Sequence, residues 1–267
     1  MHLISTRKEI EDIFDKISRK KRPIRLGFTG VPPDGIWADA IKLSDEIIDL
    51  DMPIASNPIS EADKYLPKVC CATLRTIMAN SILMKDLDWL ILSSGIDKCD
   101  GARFIGMTLQ KILNIPVILT ENLNNKHRGN PVCESNLPLK DKFCKIVGDL
   151  IKPQETTVTP CKPEFGFWGV PPNDFDILDL FPPTTHVFGW ARCIENRTPA
   201  DHDLEETVNN SIPTVYFAQA FCPKNYMAYR LAKENNGLYV EADSKIDHSI
   251  MAKIEAFLYL TGKHKSL

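Results

Sequence analysis

The sequence holds eight cysteines in 267 residues but no Cys-x-x-Cys pair. That absence argues against zinc ribbons and thioredoxin-type redox sites, whose chemistry needs two sulfurs at that short spacing. No apolar run approaches the roughly 20 residues that span a bilayer. The opening residues, Met1-His2-Leu3-Ile4-Ser5-Thr6, lack the basic-then-apolar layout of a signal peptide. A cytoplasmic location is therefore expected, where thiols stay reduced and disulfides do not explain eight cysteines. Neither a Gly-x-Gly-x-x-Gly run nor a phosphate loop occurs, so nothing points to nucleotide binding or ATP hydrolysis by this chain. Charge of one sign is also missing. A net charge of −3 and a pI near 6.1 recommend no nucleic acid and no membrane as partner. The local exception, Arg19-Lys20-Lys21-Arg22, reads as the solvated end of a helix, where cations suit the helix dipole.

What is present is an ordinary soluble composition, 43% apolar and 25% charged, in a chain long enough for two domains. A helix opens it: Thr6 with Glu9 forms a capping box, and Ile10, Ile13, Phe14 and Ile17 recur at helical spacing. Residues 24–30 (IRLGFTG) read as a buried strand ending in Gly30-Val31-Pro32-Pro33. That turn recurs as Gly169-Val170-Pro171-Pro172 after a similar apolar stretch, and such internal similarity implies two halves of one architecture. Strands are expected at 88–94, 115–120, 212–218 and 238–241, and helices at 72–83, 101–113, 224–235 and 246–260. The alternation predicts two similar Rossmann-like α/β halves with short parallel sheets facing a cleft. The divisions are an N-terminal helix (1–22), a first half (23–150), a Pro- and Thr-rich linker (151–162) and a second half (163–267).

The cysteines carry the chemistry. Cys99 follows the strand DWLILSS and Cys222 follows IPTVYFA, each immediately ahead of a helix. In a parallel sheet both fall on the carboxyl rim where ligands bind. The N–H groups at a helix N-terminus favour the thiolate, the form that binds iron. Arginine follows cysteine at +4 three times, Cys71/Arg75, Cys99/Arg103 and Cys193/Arg197, where eight cysteines and ten arginines in 267 positions give about 0.3 by chance. On a helix such pairs share a face, so Arg75 and Arg103 are placed to offset a thiolate-bound cluster and raise its potential. Cys71 is preferred to Cys70 because only Cys71 has this partner. Free cysteine is also a common core residue. Cys133, Cys144 and Cys161 are assigned to the core or to loops, and Cys193 to either ligation or structure.

These residues resemble a family. Ala62-Asp63-Lys64-Tyr65-Leu66-Pro67 with Cys71-Ala72-Thr73-Leu74-Arg75 is similar to the first ligand segment of the 2-hydroxyacyl-CoA dehydratase and benzoyl-CoA reductase family. Residues 88–103, ending in Cys99-Asp100-Gly101-Ala102-Arg103, resemble its second ligand segment. Ala220-Phe221-Cys222-Pro223 with Lys253-Ile254-Glu255-Ala256-Phe257-Leu258 resembles its third cysteine and closing helix. The resemblance implies a [4Fe-4S] cluster on Cys71, Cys99 and Cys222, with Cys193 as a possible additional ligand. It also implies a homo- or heterodimer with a related subunit, an ATP-dependent activator as electron donor, and one-electron chemistry on a thioester. Some relatives carry a double-cubane cluster and reduce small molecules instead. The chain is shorter than a typical dehydratase subunit, so the alternatives are a cluster-bearing electron carrier without catalysis and a metal-free scaffold.

Glu121 and Glu241 end corresponding strands and are candidates for acid–base work or for capping. His186, in the apolar stretch THVFGW, is expected to be a satisfied core histidine. Trp168 and Trp190 are candidates for shielding the rim from water or for packing.

Overall fold

In a computed structural model, residues 4–152, 157–200 and 202–263 are described. Residues 1–3 of the opening segment and 153–156 of the expected linker lie outside them. The chain forms two compact units. The first contains α1 (Arg7–Ser18), β1 (Arg25–Thr29), α2 (Asp34–Leu43), β2 (Glu46–Asp49), α3 (Ala72–Leu83), β3 (Trp89–Ser93), α4 (Asp100–Ile112) and β4 (Val117–Thr120). Its four strands are all parallel, in the order β2-β1-β3-β4. The second contains α5 (Leu139–Ile151), β5 (Phe165–Trp168), β6 (Thr185–Phe188), α6 (Trp190–Asn196), α7 (His202–Glu206), β7 (Thr214–Gln219), α8 (Asn225–Glu234), β8 (Leu238–Ala242) and α9 (His248–Lys263). Its strands are also parallel, in the order β6-β5-β7-β8. The expected pair of Rossmann-like α/β halves is therefore present, and the two sheets share one topology.

Each sheet forms where the chain is apolar on consecutive residues, as burial on both faces requires. All five residues of β3 (WLILS) and all six of β7 (TVYFAQ) are buried. In the first unit Leu90, Leu92, Val117 and Leu119 pack with Met78 of α3 and with Ile105 and Leu109 of α4. Fully burying one such side chain contributes about 1.5–3 kcal/mol, so these strands hold the unit together. The second unit repeats the plan with Trp168, Phe188, Tyr216, Ala228 and Leu231. The helix α1 starts at the expected capping box, with Glu9 N–H donating to Thr6 and Glu9 accepting from the Thr6 N–H. It lays Phe14 edge-on against Trp89 at 5.5 Å.

Two expectations need correction. The basic run after α1 is more than a solvated helix end, because Lys20 and Arg22 both pair with Asp88, which is wholly buried at the entrance to β3. The division between units falls at Asn125/Lys126, ahead of the Pro- and Thr-rich stretch. The reason is that α5 belongs to the second core: Phe143 meets Phe167 of β5 at 5.8 Å, and buried Lys142 donates to the carbonyls of Pro183 and Thr185. Burial lowers the Lys142 pKa to about 8. No helix among the described residues is long and apolar enough to cross a membrane.

Candidate functional site

Identical strand order makes the two units comparable position by position. In each, the Gly-Val-Pro-Pro turn leaves the first strand and the cysteine loop leaves its neighbour, β1 beside β3 and β5 beside β7. Strand order reverses between those two strands, and open α/β sheets bind ligands in the crevice outside such a reversal. Cys99 and Cys222 thus occupy equivalent rims of two separate sheets.

In the first unit the rim is tied tightly. Thr29 and Ser93 cross-link the ends of β1 and β3, Ser93 N–H donating to Thr29 Oγ1 and Ser93 Oγ to the Thr29 carbonyl. Gly30 has φ +62, and a Cβ there would lie 2.9 Å from both Lys98 Nζ and Ser93 Oγ. Glycine adopts that conformation without strain, whereas a side chain there would have to push the ends of Lys98 and Ser93 aside. The Gly30 N–H donates to Asp51 Oδ2 at 2.6 Å, and the Asp51 N–H donates to Asp49 Oδ1 at 2.8 Å. Burial, and then the charge of Asp51, push the Asp49 carboxyl well up, although the Asp51 N–H opposes this. Burial also raises Asp51, against the Gly30 N–H and the Lys98 charge. Cys99 is exposed and sits at the N-cap of α4, its thiol making no capping hydrogen bond. A Cβ on Gly101 would meet Leu74 Cδ1 at 2.5 Å and Cys99 Sγ at 3.8 Å. The thiol therefore lies beside the first turn of α3, the helix that Cys71 immediately precedes. Arg103, one turn along α4, pairs with Asp100 at 3.2 Å, and its Nε–H is buried without an acceptor among the described residues. Arg75, in the first turn of α3, pairs with Asp63 at 3.1 Å.

In the second unit β7 runs three residues past its last pairing with β5. Its final side chain, Gln219, reaches back to the Pro171 carbonyl and to Asn173. Gly169 has φ +148, and a Cβ there would stand 2.4 Å from the Phe217 carbonyl oxygen. A tight turn follows, in which Cys222 N–H donates to the Gln219 carbonyl and Phe221 takes the left-handed φ of +63. That conformation costs an ordinary side chain about 1–2 kcal/mol. Because of this turn α8 begins at Asn225, so Cys222 stands three residues before the helix rather than directly at its start. Cys222 lines a cavity of about 10 Å³ with Trp168, Trp190, Gly169 and Lys224, space for about one water. Trp168 is fixed there by its indole N–H, which donates to the Glu205 carbonyl at 2.7 Å, and Lys224 pairs with the Glu205 carboxylate.

The remaining cysteines divide by environment. Cys71 is buried and Cys70 half-buried, and Val69–Ala72 groups with the second unit. Cys193 lies buried inside α6, and Cys133 is buried. Burial raises the Cys133 thiol well above its ordinary value, and the adjacent Glu195 adds to the effect. Cys144 belongs neither to the core nor to a loop: it is exposed on α5. His186 is the satisfied core histidine expected, its Nε2 3.0 Å from the Cys161 carbonyl. Glu121 accepts the Ile96 N–H at 2.7 Å, and Glu241 accepts from Asn225 and Tyr239. Glu121 thus holds the loop at Ile96, while Glu241 ties the start of α8 to β8.

Sequence reasoning missed Asp49, Asp51, Asp97, Lys98 and Phe221. The doublet Asp49-Leu50-Asp51, closing an apolar stretch, was the available signal for the first two. Exposed apolar side chains flank each rim, Ile96 and Phe104 around Cys99 and Phe221 and Tyr226 around Cys222. Among the described residues no three His, Cys, Asp or Glu side chains are gathered closely enough to hold a metal ion. No protein-family model matches the chain, and no curated protein matches it.

Proposed function

We propose that this chain is the iron–sulfur subunit of a low-potential, one-electron reductase or dehydratase system, working in the cytoplasm. The observation that carries the reading is the repeated rim: one sheet order, one Gly-Val-Pro-Pro turn and one following cysteine, formed twice. The donor chemistry fits a cluster. The thiols are unlinked by disulfides, Cys99 stands exposed at a helix start, and an unpaired, buried Arg103 Nε–H lies one turn away. Such a donor suits a cluster sulfur.

Cys71, Cys99 and Cys222 would hold a [4Fe-4S] cluster, which when bound supplies one-electron transfer; a double-cubane cluster would need further thiolates. The chain's own residues do the rest. Arg75 and Arg103 bring positive charge, though Asp63 and Asp100 accompany them and reduce it. Trp168 and Trp190 restrict water beside Cys222. Ile96, Phe104, Phe221 and Tyr226 leave apolar surface at both rims, the kind that a second protein covers. A related subunit and an ATP-dependent activator are the partners this reading requires.

A second reading, an electron carrier without catalysis, is favoured by the cavity beside Cys222, which admits about one water and no thioester. Anaerobic reconstitution with iron and sulfide followed by potentiometric electron paramagnetic resonance tests the proposal. A one-electron signal with a midpoint near or below about −400 mV is expected. A chain that develops no such signal, or that takes its electron at positive potential, overturns it.

A further inference from the structure

The turn between β3 and Cys99 holds a buried acid that the iron–sulfur reading does not use. Asp97 is 8% exposed, and both carboxylate oxygens are shut off from water with no hydrogen-bond partner among the described residues. Such a group calls for an explanation, because an unsatisfied buried carboxylate is costly and natural folds rarely keep one. A second carboxylate lies beside it. One point next to Gly95, where a Cβ would stand, is 2.4 Å from Glu121 Cγ and 2.8 Å from Asp97 Oδ1. Gly95 is therefore the residue that lets the turn close over both acids. Glu121 Oε1 is occupied by the Ile96 N–H, which leaves Oε2 for a further bond.

The charges around Asp97 do not cancel it. Among the described residues Lys98 faces it, but the same ammonium lies against Gly30 and is also near Asp51, so this cation is shared between Asp51 and Asp97. The backbone N–H groups of Asn122 and of Asp97 itself are close enough to favour the charged carboxylate.

We propose that this turn binds a hard divalent cation of the magnesium or calcium class, held between Asp97 and Glu121. Two carboxylates with water and backbone carbonyls completing the shell are an ordinary donor set for such ions. An oxygen-only pair excludes a thiolate-seeking metal here. The bound ion fixes the turn that presents Cys99, and the site is independent of any iron on that cysteine.

The test uses the full chain after treatment with a chelator, titrated calorimetrically with magnesium chloride and with calcium chloride. One site is expected, with a melting temperature that rises with the cation. Asp97→Asn and Glu121→Gln should each weaken binding at least about tenfold and abolish the thermal response. If Asp97→Asn does not fold, the half-exposed Glu121→Gln still gives a decision. Absence of heat and of a thermal shift at millimolar cation overturns the proposal. So does unchanged affinity in the variants, or an Asp97→Asn chain that is more stable than a cation-indifferent wild type, which would show that Asp97 simply carries a proton.

Discussion

Replacing Asp88 by asparagine removes the anchor between the end of α1 and the start of β3. The carboxylate is fully buried and takes Lys20 Nζ at 2.5 Å, the Arg22 guanidinium, and the Arg25 N–H at 2.9 Å. At 2.5 Å and an effective dielectric near 20 the Lys20 attraction is on the order of 6 kcal/mol before desolvation. Desolvation cancels most of that, and the Lys20 and Arg22 side chains are 28% and 59% exposed. The net loss in Asp88→Asn is then about 2–3 kcal/mol. The pH dependence has a definite sign. Burial alone would raise the Asp88 pKa, but the Lys20 hydrogen bond, the Arg25 N–H and the two cationic charges hold it below the ordinary value. The stabilisation is therefore complete above about pH 4 and disappears as pH falls through the folded-state pKa. Urea unfolding of wild type and variant from pH 7 down to pH 3 measures it. The gap should narrow as pH falls. A gap that is absent at pH 7, or that stays constant to pH 3, would refute the reasoning.

Gly169→Ala should destabilise the chain by about 2–3 kcal/mol in chemical denaturation, since the obstacle is the Phe217 carbonyl of β7 rather than a movable side chain. Gly30→Ala meets the side-chain ends of Lys98 and Ser93 and should cost less, about 1–2 kcal/mol; equal costs would contradict the distinction. In reconstituted protein, Arg103→Ala should lower the cluster midpoint by some tens of millivolts, roughly 1 kcal/mol on a one-electron couple, without loss of iron. An unchanged midpoint would assign Arg103 to packing.

Much of the fold was legible because parallel strands leave plain traces. The runs at β3, β4 and β7 are buried on both faces and read directly as apolar segments. Strand β2 (EIID) is only partly buried and ends in acids, and strand β6 (THVF) opens on two polar residues, so neither shows as an apolar run. The Asp88 clamp joins residues 66 and 68 positions apart, a separation no local pattern encodes. At the site, the rim positions of Cys99 and Cys222 followed from the strand–loop–helix order. The turn that holds Cys222 away from α8 did not, because it depends on a left-handed Phe221, a residue type that gives no warning of that conformation. Asp97 was hidden for a related reason: its burial arises from Gly95 and Glu121 closing over it, and Glu121 lies on the far side of α4 and β4 in sequence.

The central claim concerns thiolate ligation by the two equivalent rims, and iron retention in cysteine variants tests it most directly. Wild type, Cys71→Ser, Cys99→Ser and Cys222→Ser should be reconstituted side by side under strict anaerobiosis and assayed for iron and acid-labile sulfide. The expected result is about four of each per wild-type chain, with a marked loss in all three variants and none in an exposed-cysteine control, Cys144→Ser. Wild-type protein without iron, or Cys99→Ser and Cys222→Ser proteins that hold as much iron as wild type, would contradict the account.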